Sequence, residues 1–232
     1  NAVESMDATM YMEMDMSVMG QSIETDTQMD MSCFNDPVKV KADVTMSMGA
    51  LGSMSMSVYA DTTDGDYTIY VYDGNNGNTQ AADASQLEQY DAQQSMDLYL
   101  SSGAEYVSAG TEDINGITAD KYTGIIRGEA LEEVMKSSGA TSSLENTMGM
   151  DLADLYSDLG DMPITVWVDQ STGYPVRYYM DMTDVMQTMM KKALAGIEGG
   201  DTLTMSKVEI TMDCSNFNNV ADFEIPAEAL AA

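Results

Sequence analysis

Apolar and polar residues alternate over much of the chain. Every second residue of Met10–Val18 is Met or Val, and every second residue of Val38–Met48 is Val, Ala or Met. Because successive side chains of a strand point to opposite faces, this alternation predicts strands with one apolar face. Further strands are predicted at Ile23–Phe34, Met54–Ala60, Tyr67–Tyr72, Ala104–Ala109, Ala119–Arg127 and Leu203–Cys214.

A hairpin is predicted within Pro163–Thr183. Two alternating runs flank the segment Asp169–Gly173, in which Asp and Ser can bond the local backbone and Gly173 can adopt a positive φ. In the first run Trp167 lies opposite the apolar face. We expect it to cover the outer face of the sheet beside Arg177 or Tyr179, with exposure to a partner or a sugar as the alternative.

Helical periodicity replaces the alternation in other segments. Asp184–Glu198 has the broadest apolar stripe, with Asp184 as predicted cap, Lys191 and Lys192 towards its C-terminal half, and Gly199 at its end. Residues 1–9 are predicted as the end of a short helix, and Asn216–Ala232 as a tail anchored by apolar side chains. Further helices are predicted at Ser85–Leu100, Gly128–Ser138 and Met150–Leu159.

These elements predict one α+β domain spanning residues 1–232. An antiparallel sheet with one apolar face must bury that face, and the amphipathic helices can cover it. No repeat of fixed period and no linker rich in Pro or Gly divides the chain.

The charge and the missing histidines exclude several functions. Acidic residues number 39 against 9 Lys and Arg, so the net charge is −30, which repels nucleic acids and anionic membrane surfaces. With no His in the 232 residues, His-based catalysis and His-rich metal sites are excluded. No nucleophile elbow or phosphate-binding glycine loop occurs either, and we expect neither an enzyme nor a cofactor or metal.

Three parts of the sequence resemble the LolA-like superfamily, and more narrowly the LppX/LprG-type lipoproteins and related uncharacterised lipoproteins of Gram-positive bacteria. They are the hairpin Thr165–Arg177, the turn Ile114–Gly116 and the ending Asn218–Pro226. The resemblance implies a half-open barrel: a strongly curved antiparallel sheet with helices on its concave side. It also implies a cavity for acyl chains, in an exported cell-surface protein tethered by an N-terminal lipid. The cysteine that such a tether needs is absent from this sequence, so membrane attachment is expected only through an anchor removed upstream.

The function expected from this fold is non-enzymatic binding or carriage of a lipid or other hydrophobic small molecule by a monomer. The side chains expected to line the site are apolar residues of the sheet and of the last helix. From the sheet they are Met46, Met48, Met54, Met56, Val58, Ile69, Val71, Val166, Tyr178, Met180 and Met182; from the helix they are Met186, Met189, Met190 and Leu194.

The methionines leave other interpretations open. The chain has 24 Met and 3 Phe, and Met on a strand face can be ordinary core, an adaptable cavity wall or a set of soft Cu(I) ligands. For Cu(I) the candidates are Met10, Met12, Met14 and Met16, or Met29, Met31 and Cys33. A surface interaction module with a fully packed interior would have the same pattern.

Two further groups could bind an ion or form a cross-link. Asp61–Asp66 and Asp73–Asn78 are rich in oxygen ligands, but neither has the ligand order of a calcium-binding loop, and both are predicted as hairpin turns. Cys33 and Cys214 could form a disulfide in an oxidising compartment or remain two buried thiols.

Overall fold

The computed structural model describes residues 3–35, 37–49, 52–63, 66–82, 104–131, 157–195 and 202–230. These residues form an open antiparallel sheet of 11 strands with short helices. The strands are β1 (Ser5–Val18), β2 (Gln21–Asn35), β3 (Val38–Ser47), β4 (Ser53–Thr63), β5 (Asp66–Tyr72), β6 (Gly77–Ala82), β7 (Val107–Ile114), β8 (Ile117–Ile126), β9 (Met162–Asp169), β10 (Pro175–Asp181) and β11 (Thr204–Ser215).

The sheet consists of two meanders joined at its centre. Strands β1 to β6 form one half and β7 to β11 the other, and the order across the sheet is β6-β5-β4-β3-β2-β1-β11-β10-β9-β8-β7. The joint is the pairing of β1 with β11, in which Ala8 lies opposite Cys214 and Met12 opposite Ile210. The result is the expected α+β fold, a large curved sheet with helices on its concave side.

The helix α1 (Thr183–Ala193) packs on one face of the sheet, which we call the inner face. Val185 of the helix is buried, and Met189 and Ala193 follow it at intervals of four residues in the same core. Two side chains of α1 also bond to β11: Thr183 Oγ1 accepts from Val208 N at 2.9 Å, and Gln187 Oε1 accepts from Met205 N at 2.6 Å.

The main core lies between α1 and strands β9 to β11. Its largest fully buried side chain is Tyr178, with Ile164 and Val166 beside it on β9. Val176 does not belong to this core, although alternation predicts it on the same face as Tyr178. A register shift between Pro175 and Arg177 turns it to the opposite, outer face, where it clusters with Trp167.

The tail after β11 crosses the end of the sheet and finishes in the short helix α2 (Ala227–Leu230), which contacts β5 and β6. Asn218 holds the tail to the start of β1: its Oδ1 accepts from Glu4 N at 2.6 Å, and its own N–H donates to Ser5 O at 2.8 Å. Phe223 packs against Phe34 with 6.0 Å between ring centres. The predicted apolar anchoring of the tail is confirmed at Phe223.

Several predicted boundaries were wrong. Residues 5–9 extend β1 instead of ending a helix, and β6 follows a turn after which no strand was predicted. Asp184 does not cap α1; the carboxylate of Asp181 accepts from Thr183 N at 3.0 Å instead.

The helix predicted at Gly128–Ser138 is present at 128–131, and residues 157–159 are not helical. The rest of these two helices, the helix at Ser85–Leu100 and the end predicted at Gly199 lie outside the described residues.

Candidate functional site

The inner face of β1 to β4 carries two cross-strand rows of mostly methionine side chains, which we call the methionine face. Alternation places every second residue of each strand on this face, and the strand registers bring those residues side by side. One row is Met54, Met46, Thr27, Met12 and Ile210, and the next is Met56, Val44, Met29, Met10 and Met212.

The methionine face is not fully covered. Met54 is 46% exposed, and the other apolar residues of the two rows are half-buried. By contrast, Ile164 and Val166, on the half of the sheet near α1, are each 1% exposed. Solvent access is therefore retained at the two rows of the methionine face and lost around Ile164 and Val166.

One polar side chain interrupts the first row. Thr27 is 6% exposed, and its hydroxyl has no hydrogen-bond partner among the residues that the structure describes. Its cross-strand neighbours are Met12 and Met46. The hydroxyl therefore lies unsatisfied between two thioether side chains.

The predicted lining residues divide between this face and the core. Met46, Met54 and Met56 belong to the methionine face, whereas Val166, Tyr178 and Met180 are packed in the main core at 0–5% exposure. Of the others, Met182 and Met189 pack against the main core and Ile69 against a smaller one; Met48, Val58, Val71, Met186, Met190 and Leu194 are half-buried.

Seven of the ten residues in the two rows are not among the predicted lining residues. For Met10, Met12 and Met29 the pattern leaves core, cavity wall and Cu(I) ligand open, and Ile210 and Met212 are predicted only as parts of a strand. The alternation in β1 and β11 already indicated an apolar face for each strand. What it could not indicate was that β1 and β11 are neighbours, although they lie almost 200 residues apart in sequence.

Comparison with known proteins identifies the family and the fold. The whole chain, residues 1–232, matches the profile of the family of unknown function DUF6612. The chain belongs to the DUF6612 family. No curated protein sequence matches it.

Two solved structures share the fold of this DUF6612 chain. The lipoprotein LppX of Mycobacterium tuberculosis has a TM-score of 0.51 at 16% identity, with 96% of this chain and 90% of that one covered. LprF from Mycobacterium bovis has a TM-score of 0.51 at 13% identity, with 98% and 90% covered. At these identities the likeness establishes the fold and not the ligand. The LppX-type fold that the resemblance implies is confirmed.

The two cysteines are separate buried thiols in this fold and not a disulfide. Cys33 on β2 lies opposite Met6 of β1, and Cys214 on β11 lies opposite Ala8 of β1. With β1 between them, their Cα atoms are about two strand spacings apart, roughly 10 Å, beyond the reach of a disulfide. Burial first, and then the nearby Asp213 and Cys33, raise the pKa of Cys214 to about 12.

The outer face carries an ion pair beside the apolar cluster around Trp167. Trp167 is 8% exposed and donates from Nε1 to Glu112 Oε2 at 2.8 Å. Lys121 binds the other oxygen of Glu112 at 2.8 Å and lies 5.0 Å from the centre of the Trp167 ring. Hydrogen bonds from Lys121 and Trp167 lower the pKa of Glu112. Trp167 lies directly opposite Arg177, which confirms the predicted cross-strand pair.

A shallow groove of about 450 Å³ also lies on the outer face. Glu13 and Asp26 face each other across it, and Lys207 pairs with Glu13 at 3.0 Å and Glu209 at 3.4 Å. The groove therefore combines two carboxylates with a lining surface that is mostly apolar. It is lined by Tyr11, Glu13, Asp26, Gln28, Thr45 and Ser47, and also by Met12 and Thr27, which belong to the methionine face.

The described residues include no cluster of side chains suited to binding a hard cation such as Ca²⁺. No group of three or more His, Cys, Asp or Glu that could hold a metal occurs within the described ranges. Asp73 accepts backbone hydrogen bonds from Asn75 and Asn76 at 2.8 and 2.6 Å, as a turn requires, and these bonds lower its pKa. Of Asp61–Asp66, residues 64 and 65 lie outside the description.

Among the described helices, none is long and apolar enough to cross a membrane.

Proposed function

We propose that this DUF6612 chain is an exported, non-enzymatic binding or carrier protein that holds a lipid or other acyl chain on the methionine face. The observation that carries the proposal is the contrast within one face of the sheet. Around Ile164 and Val166 the inner face is buried in the core. Met46, Met54 and their neighbours in the two rows remain partly accessible to solvent. An apolar ligand would complete the burial of that surface.

Burial and adaptability both favour such a ligand. Removing apolar surface from water contributes roughly 25 cal/mol per Å², so an acyl chain that covers 300–400 Å² would gain about 8–10 kcal/mol before the costs of association. Methionine side chains are unbranched and polarizable, and they can repack around chains of different shape. We therefore expect broad selectivity for chain length.

Export and attachment to the cell surface are part of the proposal. The fold shared with the lipoprotein LppX supports it, and so does the acidity, because a net charge of −30 favours solubility and disfavours docking on anionic membranes by charge. A Gram-positive origin, a lipid anchor and a monomeric state remain predictions from the sequence.

The direct test is native mass spectrometry of the purified protein, together with mass spectrometry of its organic extract. We expect a stoichiometric apolar adduct, or uptake of added fatty acid or phospholipid when the protein is isolated empty. An empty protein that takes up neither would contradict the proposal and favour an interaction module with a packed interior.

A pair of variants on one strand locates the site. Met46 lies on the methionine face of β3, and its neighbour Thr45 lies on the outer face. Both positions can be changed to Gln, so the same side chain is introduced on the two faces. Met46→Gln should reduce lipid uptake several-fold, and Thr45→Gln should leave it unchanged. Equal effects would place the site elsewhere.

Copper binding is the second candidate, and one row of side chains favours it. Met29, Met10 and Met212 lie directly side by side on β2, β1 and β11, so three thioethers share one row. Thioether sulfur suits Cu(I), and a cation is attracted to a chain of net charge −30. Titration with Cu(I) against a competing chelator tests this candidate: a dissociation constant weaker than micromolar, or an affinity unchanged in Met10→Leu, would reject it.

A further inference from the structure

Thr27 is the only polar residue in the two rows of the methionine face, and its hydroxyl is buried. Thr27 is 6% exposed, and Oγ1 has no hydrogen-bond partner among the described residues, sulfur atoms included. Buried polar groups in folded proteins are nearly always hydrogen-bonded. A buried hydroxyl that lacks a hydrogen-bond partner within a proposed ligand surface therefore indicates that the ligand could supply an acceptor atom.

The surroundings of Thr27 would let a ligand reach it. Its neighbours on the adjacent strands are Met12 and Met46, both half-buried, and the next residue on its own strand face is the half-buried Met29. Methionine has three rotatable side-chain bonds, so these side chains can move aside at low cost. The cover over the hydroxyl is therefore adaptable.

A second buried donor lies on the same face. Gln187 Nε2 has no partner among the described residues, whereas Oε1 of the same amide accepts from Met205 N. Met205 lies opposite Met16 and Thr27 opposite Met12, so these two residues are offset by four residues along β1, about 13 Å, and by two strand spacings across it, roughly 10 Å. Both donors require acceptor atoms, and neither could bond to a pure hydrocarbon.

The charges favour an uncharged acceptor. The chain carries a net charge of −30, which would repel a fatty-acid carboxylate or an acidic headgroup. Two cations of these strands are already engaged with carboxylates, Lys207 with Glu13 and Lys41 with Asp43. An ester carbonyl or hydroxyl oxygen would accept from Thr27 without adding charge.

We propose that Thr27 is the polar anchor of the methionine face and that its hydroxyl donates to an uncharged acceptor oxygen of the ligand. The ligand class is then a neutral oxygenated lipid, such as an acyl ester, with its chains along the methionine rows. This inference rests on the proposed function, since it names the ligand of the same face. It adds one specificity-determining residue and one chemical requirement.

The test measures displacement of a bound apolar fluorophore, N-phenyl-1-naphthylamine, by three competitors of similar length: methyl palmitate, heptadecane and palmitate. Wild-type protein should prefer methyl palmitate to both others. Thr27→Val has nearly the same shape but lacks the hydroxyl, and it should lower the preference for ester over hydrocarbon by about two- to tenfold, the range of one net hydrogen bond. Thr27→Ser keeps the hydroxyl and should keep the preference.

Thr25→Val is the matched control, because Thr25 is equally buried on the same face two residues away. It should leave the ester preference unchanged. The melting temperature of the empty protein gives an independent readout: Thr27→Val should raise it, since an unsatisfied buried hydroxyl is removed.

The outcomes separate the two proposals. If wild-type protein binds neither the fluorophore nor any competitor, the proposed function fails and this inference with it. If binding occurs without ester preference, or with a preference that Thr27→Val does not change, only the anchor role of Thr27 is overturned.

Discussion

Arg177 and Asp213 face each other across β10 and β11 and form a two-bond ion pair, with Nε 2.5 Å from Oδ1 and Nη2 2.6 Å from Oδ2. Asn115, in the turn between β7 and β8, adds a third hydrogen bond to Oδ2 at 3.1 Å. The carboxylate thus links the outer face of the central strands to the β7–β8 hairpin. Burial opposes its ionisation, but the hydrogen bonds from Arg177 and Asn115 outweigh that effect, and the pKa of Asp213 is lowered.

Removing this carboxylate should destabilise the protein. Asp213→Ala leaves Arg177 and Asn115 without their shared acceptor, and since the pair is partly exposed to screening water we expect a loss of about 1–2 kcal/mol in the free energy of unfolding. Urea denaturation measures it. Asp222→Ala is the control, because Asp222 is 81% exposed in its ion pair with Lys39 and its removal should cost less. A larger loss of unfolding free energy in Asp222→Ala than in Asp213→Ala would show that the Arg177–Asp213 pair is not the stronger one.

The same ion pair should make part of the stability depend on pH. Because the pKa of Asp213 is lower in the folded than in the unfolded protein, its contribution is complete above the ordinary carboxyl pKa of about 4 and is lost as the pH falls through the folded value. The difference in unfolding free energy between wild type and Asp213→Ala should be constant from pH 5 to 7 and shrink below about pH 4. A difference that stays constant down to pH 2.5 would argue against ionisation as its source.

The buried β9 face should be far more sensitive to truncation than the exposed residues next to it. Ile164 is 1% exposed in the main core, and Ile125 on the adjacent strand is 43% exposed. Ile164→Ala should cost about 2–5 kcal/mol of unfolding free energy, through lost burial and the cavity left behind. Ile125→Ala should cost less than about 1 kcal/mol. Similar losses at the two positions would contradict the assigned faces.

Both cysteines should be inert in the native protein. With the pKa of Cys214 raised to about 12, its thiolate fraction at pH 8 is about 10⁻⁴, and burial blocks access as well. A disulfide-exchange reagent should titrate no thiol in the native protein and two thiols in denaturant without reductant. Finding none in denaturant would instead reveal a disulfide.

Trp167 should report which face a ligand occupies. It is the single Trp of the chain and belongs to the outer cluster, on the opposite side of the sheet from the methionine face. Lipid uptake should therefore leave acrylamide quenching of Trp167 fluorescence unchanged. A marked decrease in quenching, with Met46→Gln without effect on uptake, would move the site to the outer face.

Most of the strands could be predicted from the sequence because alternation is a local property. Met10–Val18 lies in β1 and Val38–Ser47 forms β3, one residue shorter than predicted. β9 and β10 form the hairpin around Gly173 as predicted, and Trp167 lies on the outer face as its position in the pattern indicated. The exceptions have local causes as well. The register shift beside Pro175 turned Val176 outwards, and Asp181 rather than Asp184 satisfied the start of α1.

The sequence by itself determined which side chains share a face of each strand, since a period of two follows from strand geometry alone. Only the tertiary structure decided which strands are neighbours. The pairing of β1 with β11 places Met10 beside Met212. Val166, Tyr178 and Met180 are buried in one core with Val185 of α1, while Met46 and Met54 stay partly accessible. Pairing and coverage depend on contacts between distant parts of the chain, which no local pattern encodes. For that reason the methionine face and the unpaired hydroxyl of Thr27 could be identified only in the folded protein.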